Sequence, residues 1–203
     1  MSRYVLKTPL CDMLGIEYPI ISAGMGPTLI GENTGAPVEL VVAVSEAGGL
    51  GVLGGSGFTV DELREAIREI KAQTDKPYGV DLLLPKSLSA EADAAASGGG
   101  PTEMPLKDVV QTIPKEHLDW LNKLTEEMQL PDVDTILRLN TTTMRPKEAV
   151  DVCIDEKVPL FCAGLGNPGF MVERAHAVGM KVLGITGNAK NAKRMADSGI
   201  DLL

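Results

Sequence analysis

The chain of 203 residues carries 19 basic and 28 acidic side chains, a formal charge of −9, with 44% hydrophobic and 3% aromatic residues. That balance argues against a nucleic-acid partner or an anionic membrane surface, both of which call for basic patches. It fits one sizeable core built from Val, Leu, Ile, Ala and Met in a soluble acidic protein. Cys11, Cys153 and Cys162 are odd in number and far apart, with no CxxC pair. A zinc knuckle, a thioredoxin-type motif and a disulfide framework are therefore not expected, and a reducing cytoplasm fits. The first ten residues contain no signal-peptide core, and no stretch approaches the roughly 18 apolar residues needed to span a bilayer.

Pro19 to Ala23 is a short apolar run ending in small residues, the pattern of a buried strand. Val38 to Ala47 has helical spacing and stops at Gly48-Gly49. Leu50 to Leu53 is the next strand, followed by Gly54-Gly55-Ser56-Gly57. Thr59 to Ala72 is the clearest helix. Thr59 with Glu62 predicts a capping box, and Leu63, Ala66, Ile67 and Ile70 share one face. Tyr78 to Leu84 is a third strand.

Lys86 to Pro114 breaks the rhythm with Ala, Ser, Gly and Pro and reads as a loop inserted between repeating units. Lys115 to Met128 is helical, with Leu118, Leu121 and Leu124 as its stripe. Val133 to Arg145 fits either a continuation of that helical region or a separate element. Pro146 to Asp155 is a helix and Pro159 to Ala163 a strand. Pro168 to Val178 is a helix, Lys181 to Thr186 a strand, Ala189 to Ser198 a helix, and Ile200 to Leu203 begins another strand.

Short apolar strands alternating with helices imply an α/β fold with a parallel sheet. A dinucleotide fold wants GxGxxG after its first strand. Ala23-Gly24-Met25-Gly26-Pro27 lacks the third glycine, and no GxxxxGK[ST] loop occurs. A (β/α)8 barrel of the TIM type fits better, with function at the C-terminal strand ends. Small residues gather there at Ala23-Gly24, Gly54-Gly55, Ala163-Gly164 and Gly184. On pattern alone they serve equally as tight turns or as the floor for a flat ligand.

Glu17 to Met25, reading Glu-Tyr-Pro-Ile-Ile-Ser-Ala-Gly-Met, resembles the opening strand of nitronate monooxygenases. Ala43 to Gly51, reading Ala-Val-Ser-Glu-Ala-Gly-Gly-Leu-Gly, resembles their first helix and second strand. Pro77 to Leu82 resembles the third strand, and Lys181 to Leu203 the middle strand-helix-strand. Flavin-dependent enoyl-acyl-carrier-protein reductases share the pattern. The resemblance covers most of the chain, with a gap over Lys86 to Arg145.

The resemblance implies an FMN-dependent oxidoreductase that oxidises alkyl nitronates with O2. In that family the first strand end, here Ala23-Gly24-Met25, lies along the flavin ring. The third strand supplies a polar side chain that is usually Asn and here is Asp81. An ionised Asp only accepts hydrogen bonds, and its charge beside a flavin that gains charge on reduction is unfavourable unless paired or protonated. Thr186, at another strand end, is a further candidate for bonding the cofactor.

The family's catalytic His stands in a Gly-Gly-His stretch after the strand that begins here at Ile200, so it is expected beyond Leu203. A closed barrel takes roughly 250 residues. Residues 1–203 are therefore expected to be the front part of one barrel domain, with an insertion at about 86–145. The alternatives are an enoyl-reductase-like enzyme, or an inactive half-barrel whose open edge pairs with another copy. His117 reads as a surface residue, His176 as structural on the outer ring, and Cys162 as a packing residue. Asn167-Pro168 reads as a turn with a helix-start proline, and no metal-ligand spacing is present.

Overall fold

The computed structural model describes residues 6–26, 37–56, 58–84, 114–129 and 146–203. The expected insertion at 86–145 therefore falls largely outside the described residues, as does the ambiguous segment from Val133 to Arg145.

In chain order the elements are α1 (Pro9–Leu14), α2 (Val38–Glu46), β1 (Gly51–Gly54), α3 (Val60–Gln73), β2 (Tyr78–Leu83) and α4 (Lys115–Glu127). They continue with α5 (Pro146–Asp155), β3 (Leu160–Gly164), a 3₁₀ turn (Pro168–Met171), α6 (Val172–Ala177), β4 (Lys181–Gly184) and α7 (Ala189–Asp197). Except for α1, these follow the expected alternation. The four strands form one parallel sheet in the order β1-β2-β3-β4. Each new strand joins beside the previous one, so the order never reverses as it does in a doubly wound sheet.

Both flanks of the sheet carry a further parallel segment held by single bridges. Ile21 pairs with Leu50 and Met25 with Leu53 on one side, and Leu183 pairs with Leu202 on the other. The first segment was expected as a continuous strand. Three residues lie between Ile21 and Met25 where two lie between Leu50 and Leu53. That extra residue makes a bulge-like offset, which interrupts the ladder.

Two apolar clusters lie on opposite faces of the sheet. The larger joins Val80, Leu82, Phe161, Ala163 and Val182 to α2, α3, α5 and α6. The smaller joins Leu50, Val52, Leu160 and Cys162 to Cys11, Leu14 and Ile16 of α1 and its exit. We call this second face, away from α2, α3, α5 and α6, the inner face.

α3 forms where the sequence places it. Thr59 caps it, its side chain accepting from the Glu62 backbone while Glu62 reaches back to Thr59, and Leu63, Ala66, Ile67 and Ile70 are buried. α4 forms where expected, but Leu118, Leu121 and Leu124, expected as its buried stripe, are only half-buried, and its buried residue is Thr125. Pro168 to Val178 divides into a 3₁₀ turn and a short helix because the Asn167 side chain accepts from Gly169 N–H and tightens the first turn.

α2 is bound to the sheet by Ser45, which is 1% exposed. Its hydroxyl donates to the Pro77 carbonyl at 2.9 Å and accepts from Gly51 N–H at 3.1 Å. Gly51 lies against α2 so closely that a Cβ there would stand 2.1 Å from the Val41 carbonyl oxygen. The Ser-Glu-Ala-Gly-Gly-Leu-Gly stretch thus has a structural reason: a helix backbone rests directly on a strand backbone, clamped by one hydroxyl.

A second tie joins α3 to the end of α5. Glu156 receives Arg64 at 3.2 Å, Arg68 at 2.9 Å and Lys71 at 2.9 Å. Burial pushes the Glu156 carboxyl up, but the hydrogen bonds from Lys71, Arg68 and Arg64 outweigh it and hold the group below its ordinary value.

Two outcomes are expected. Ser45→Ala strands the Gly51 N–H and the Pro77 carbonyl, so denaturant unfolding should show a loss of about 2 kcal/mol. Because the folded Glu156 pKa is depressed, its contribution is complete above the ordinary carboxylate range and is lost as pH falls through the lowered value. Glu156→Gln should lower the melting temperature at pH 7 and flatten its decline on acidification. Melting curves followed by circular dichroism between neutral and acid pH check both points.

Candidate functional site

Parallel pairing brings the C-terminal ends of all four strands to one edge of the sheet. Side chains alternate between faces along each strand. At that edge the inner-face positions are Gly54 on β1, Asp81 and Leu83 on β2, and Cys162 and Gly164 on β3. The register pairs Asp81 with Gly54 on one side and with Cys162 on the other.

Asp81 is the one acidic side chain among these positions. Its main-chain carbonyl accepts from Gly55 N–H at 2.8 Å, which fixes the backbone. Its Oδ1 is buried and has no hydrogen-bond partner. Burial pushes the carboxyl above its ordinary value. The Cys162 thiol beside it is 4% exposed. Burial first, and the Asp81 charge second, push that thiol up to about 12. In both groups burial shifts the balance toward the neutral form.

The bulged segment before β1 crosses over Asp81. A Cβ on Gly24 would stand 2.5 Å from the Asp81 Cβ and 3.1 Å from Val52. Glycine is required by this approach, and only backbone faces the carboxyl from that side. Ser22 fastens the segment by accepting from Val52 N–H at 2.9 Å. Ala23 and Met25 are exposed on the same segment. Around the edge, Met25, Leu83, Leu165 and Ile185 are apolar and exposed. The arrangement is a crossing backbone segment, one half-buried carboxyl beneath it, and an apolar rim.

The residues expected to bind a cofactor divide into two places. Gly24 and Asp81 are in contact, with Ala23 and Met25 beside them on the crossing segment. Thr186 lies beyond β4, two strands away from Asp81. Its hydroxyl donates weakly to the Asn188 carbonyl at 3.4 Å. It lines an open groove of about 600 Å³ with Asn167, Asn191 and Arg194.

His117 is exposed on α4, its ring 3.8 Å from Glu116. His176 bonds Asp201 at 2.9 Å, and Asp201 also holds Lys181 at 2.9 Å and the Val182 N–H at 2.9 Å. Lys181 begins β4, so this cluster ties the opposite end of the sheet and is structural. Among the described residues no group of three His, Cys, Asp or Glu side chains is placed to hold a metal ion. Among them too, no helix is long and apolar enough to cross a membrane.

Sequence reasoning missed the adjacency of Asp81 and Cys162. Leu160 to Ala163 is apolar at every position, so alternation cannot tell which side chains face inward. The turn at Asn167-Pro168 was legible, but not the groove that Asn167 shares with Asn191 and Arg194, which meet only through two loops and α7.

A family model described as nitronate monooxygenase matches residues 7–203. A probable nitronate monooxygenase of Staphylococcus saprophyticus is 27% identical over 200 residues, covering 98% of this chain and 48% of the relative. A hydroxy-methyl-oxo-octahydro-indene-carboxyl-CoA dehydrogenase of Mycobacterium tuberculosis is 43% identical over 93 residues, 46% of this chain and 22% of the relative. The solved structure of FabK from Thermotoga maritima superposes with a TM-score of 0.62 at 27% identity, covering 97% of this chain and 43% of that one. The chain spans about half the length, or less, of the curated relatives it matches.

All three cysteines are buried. A thiol reagent at pH 8 should therefore find fewer than one reactive cysteine per folded chain and three after denaturation; rapid labelling of Cys162 in the folded protein would contradict the packing described.

Proposed function

We propose that this chain, which belongs to the nitronate monooxygenase family, forms the flavin-ring side of an FMN site in a (β/α)8 barrel. In this reading it serves an oxidoreductase that oxidises alkyl nitronates with O2. The observation that carries the reading is the glycine-floored inner face at the strand ends, with the buried, unpartnered Oδ1 of Asp81 at its centre.

The residues present fit a flavin ring. A planar aromatic group needs a flat approach to backbone, and the exposed main chain at Ala23 and Met25, held down by the close packing of Gly24 on Asp81, offers one. It needs few but well-placed polar contacts, and the half-buried Asp81 carboxyl supplies one. Met25, Leu83 and Ile185 form the apolar rim that keeps water from the ring. When bound, FMN supplies the electron-accepting chemistry, and the protein contributes binding, orientation and electrostatics. Ala23, Gly24 and Met25 hold the ring through main-chain contacts, and Asp81 orients it through its carboxyl. Thr186, with Asn167 and Arg194 in the neighbouring groove, is the candidate for polar groups that extend from the ring. Catalytic proton transfer needs a base; His117 is on α4 and His176 is tied to Asp201, so neither takes that part.

The likeness to a carboxyl-CoA dehydrogenase and to FabK supports a second reading, reduction or oxidation of a thioester through the same flavin. Both readings require flavin uptake and differ in the substrate.

The expected outcome is a yellow 1:1 complex on addition of FMN, with the visible bands of a bound flavin. Oxygen consumption should follow addition of an alkyl nitronate and need no nicotinamide cofactor. Turnover of an enoyl thioester with NADPH, and none with a nitronate, would move the assignment to the second reading. A chain that takes up no flavin would sink both.

A further inference from the structure

Among the described residues Asp81 has no counter-charge, unlike the other partly buried carboxylates. Glu156 is met by Arg64, Arg68 and Lys71, and Asp201 by Lys181 and His176. The groups that face Asp81 can be taken element by element. The crossing segment presents Ser22 and Gly24, neither of which titrates. β1 presents Val52 and Gly54. β2 itself presents Gly79 and Leu83 on the same face. β3 presents Cys162, the one ionisable neighbour, and its thiol stays protonated. α1, at the far end of this face, contributes buried Cys11, while its Asp12 points to solvent and pairs with Lys7. No cation among the described residues reaches the Asp81 carboxyl.

A buried carboxylate with no cation and few donors is expensive, and such a group takes a proton instead. In the free chain the open edge still admits water to part of the side chain, which is half-buried. A flat ligand laid along the crossing segment at Ala23-Gly24-Met25 removes that water and leaves Oδ1 as enclosed as it is now, without a charge to balance it. A carboxylic acid, unlike a carboxylate, can also donate a hydrogen bond to an acceptor on the ring edge.

We infer that Asp81 meets its ligand as a neutral carboxylic acid, and that binding of the flavin ring is coupled to uptake of one proton from solvent by this carboxyl. The inference rests on the flavin reading above. It makes Asp81 a donor that selects for an acceptor atom, and it makes occupancy of the site sensitive to pH. Binding tightens as pH falls. Above the pH at which Asp81 ionises in the free chain, affinity weakens by about tenfold per pH unit until the acid in the complex ionises as well.

The test is titration of the full chain with FMN, followed by quenching of flavin fluorescence, at a series of pH values. Wild type, Asp81→Asn and Cys162→Ala are compared. Expected are a pH-dependent dissociation constant in wild type and in Cys162→Ala, and one that is flat over the same range in Asp81→Asn. The amide donates without titrating, so it keeps the hydrogen bond and loses the proton linkage. A flat profile in wild type, or affinity that rises with pH, overturns the inference and leaves the flavin reading standing. A pH dependence that survives in Asp81→Asn and disappears in Cys162→Ala also overturns it, because the proton then belongs to the thiol. Absence of FMN binding at every pH overturns the flavin reading, and this inference with it.

Discussion

Every strand of this sheet runs in the same direction and pairs with its neighbour in the chain, and this one constraint organises the rest. Parallel pairing needs a crossover between strands, and the helices supply it on a single face. The other face is left to α1 at one end and to the strand ends at the other. All the chain's turns from strand to helix then gather at one edge. The close seat of α2 on β1 makes the geometry tight. With Gly51 against the Val41 carbonyl and Ser45 bridging two strands, the helix cannot shift without breaking two buried hydrogen bonds.

Charge is distributed to match. The ionic ties sit on the helical side and at the N-terminal strand end, where Glu156 gathers Arg64, Arg68 and Lys71 and Asp201 is held by Lys181 and His176. These ties hold elements separated by many residues, α3 to α5 and β4 to the last segment. Among the described residues the opposite edge is almost free of charge, and its one inner-face acid, Asp81, has an unpartnered Oδ1. Low charge and exposed apolar side chains suit a planar, weakly polar ligand better than a phosphate, and the nearby Arg194 groove suits the more polar end of such a molecule.

The bulged segment before β1 links fold to site. One extra residue between its two bridges bends it across the strand edge and sets Gly24 on Asp81. A regular strand would continue the ladder and leave the carboxyl uncovered on that side. Bulges recur at rims and next to active sites because they re-aim a backbone at little expense in pairing. Here the offset converts an ordinary strand neighbour into a wall of the site.

Local order was legible in the sequence wherever one stretch contains its own stop and start signals. Thr59 with Glu62 determined where α3 begins, Gly48-Gly49 where α2 ends, and the apolar runs located β1 to β4, which is enough for a parallel α/β fold. The motif resemblance selected Gly24 and Asp81. α1 escaped notice because it is a single turn and a half without a long apolar stripe. The inward parity of β3 escaped because all its residues are apolar. Whether Asp81 is paired or alone was a matter for tertiary structure, since its neighbours Gly24, Gly54 and Cys162 come from three different strands. A carboxyl's protonation depends on the charges and water within a few ångströms, and residues that far apart in sequence are brought to that distance only by the register of the folded sheet.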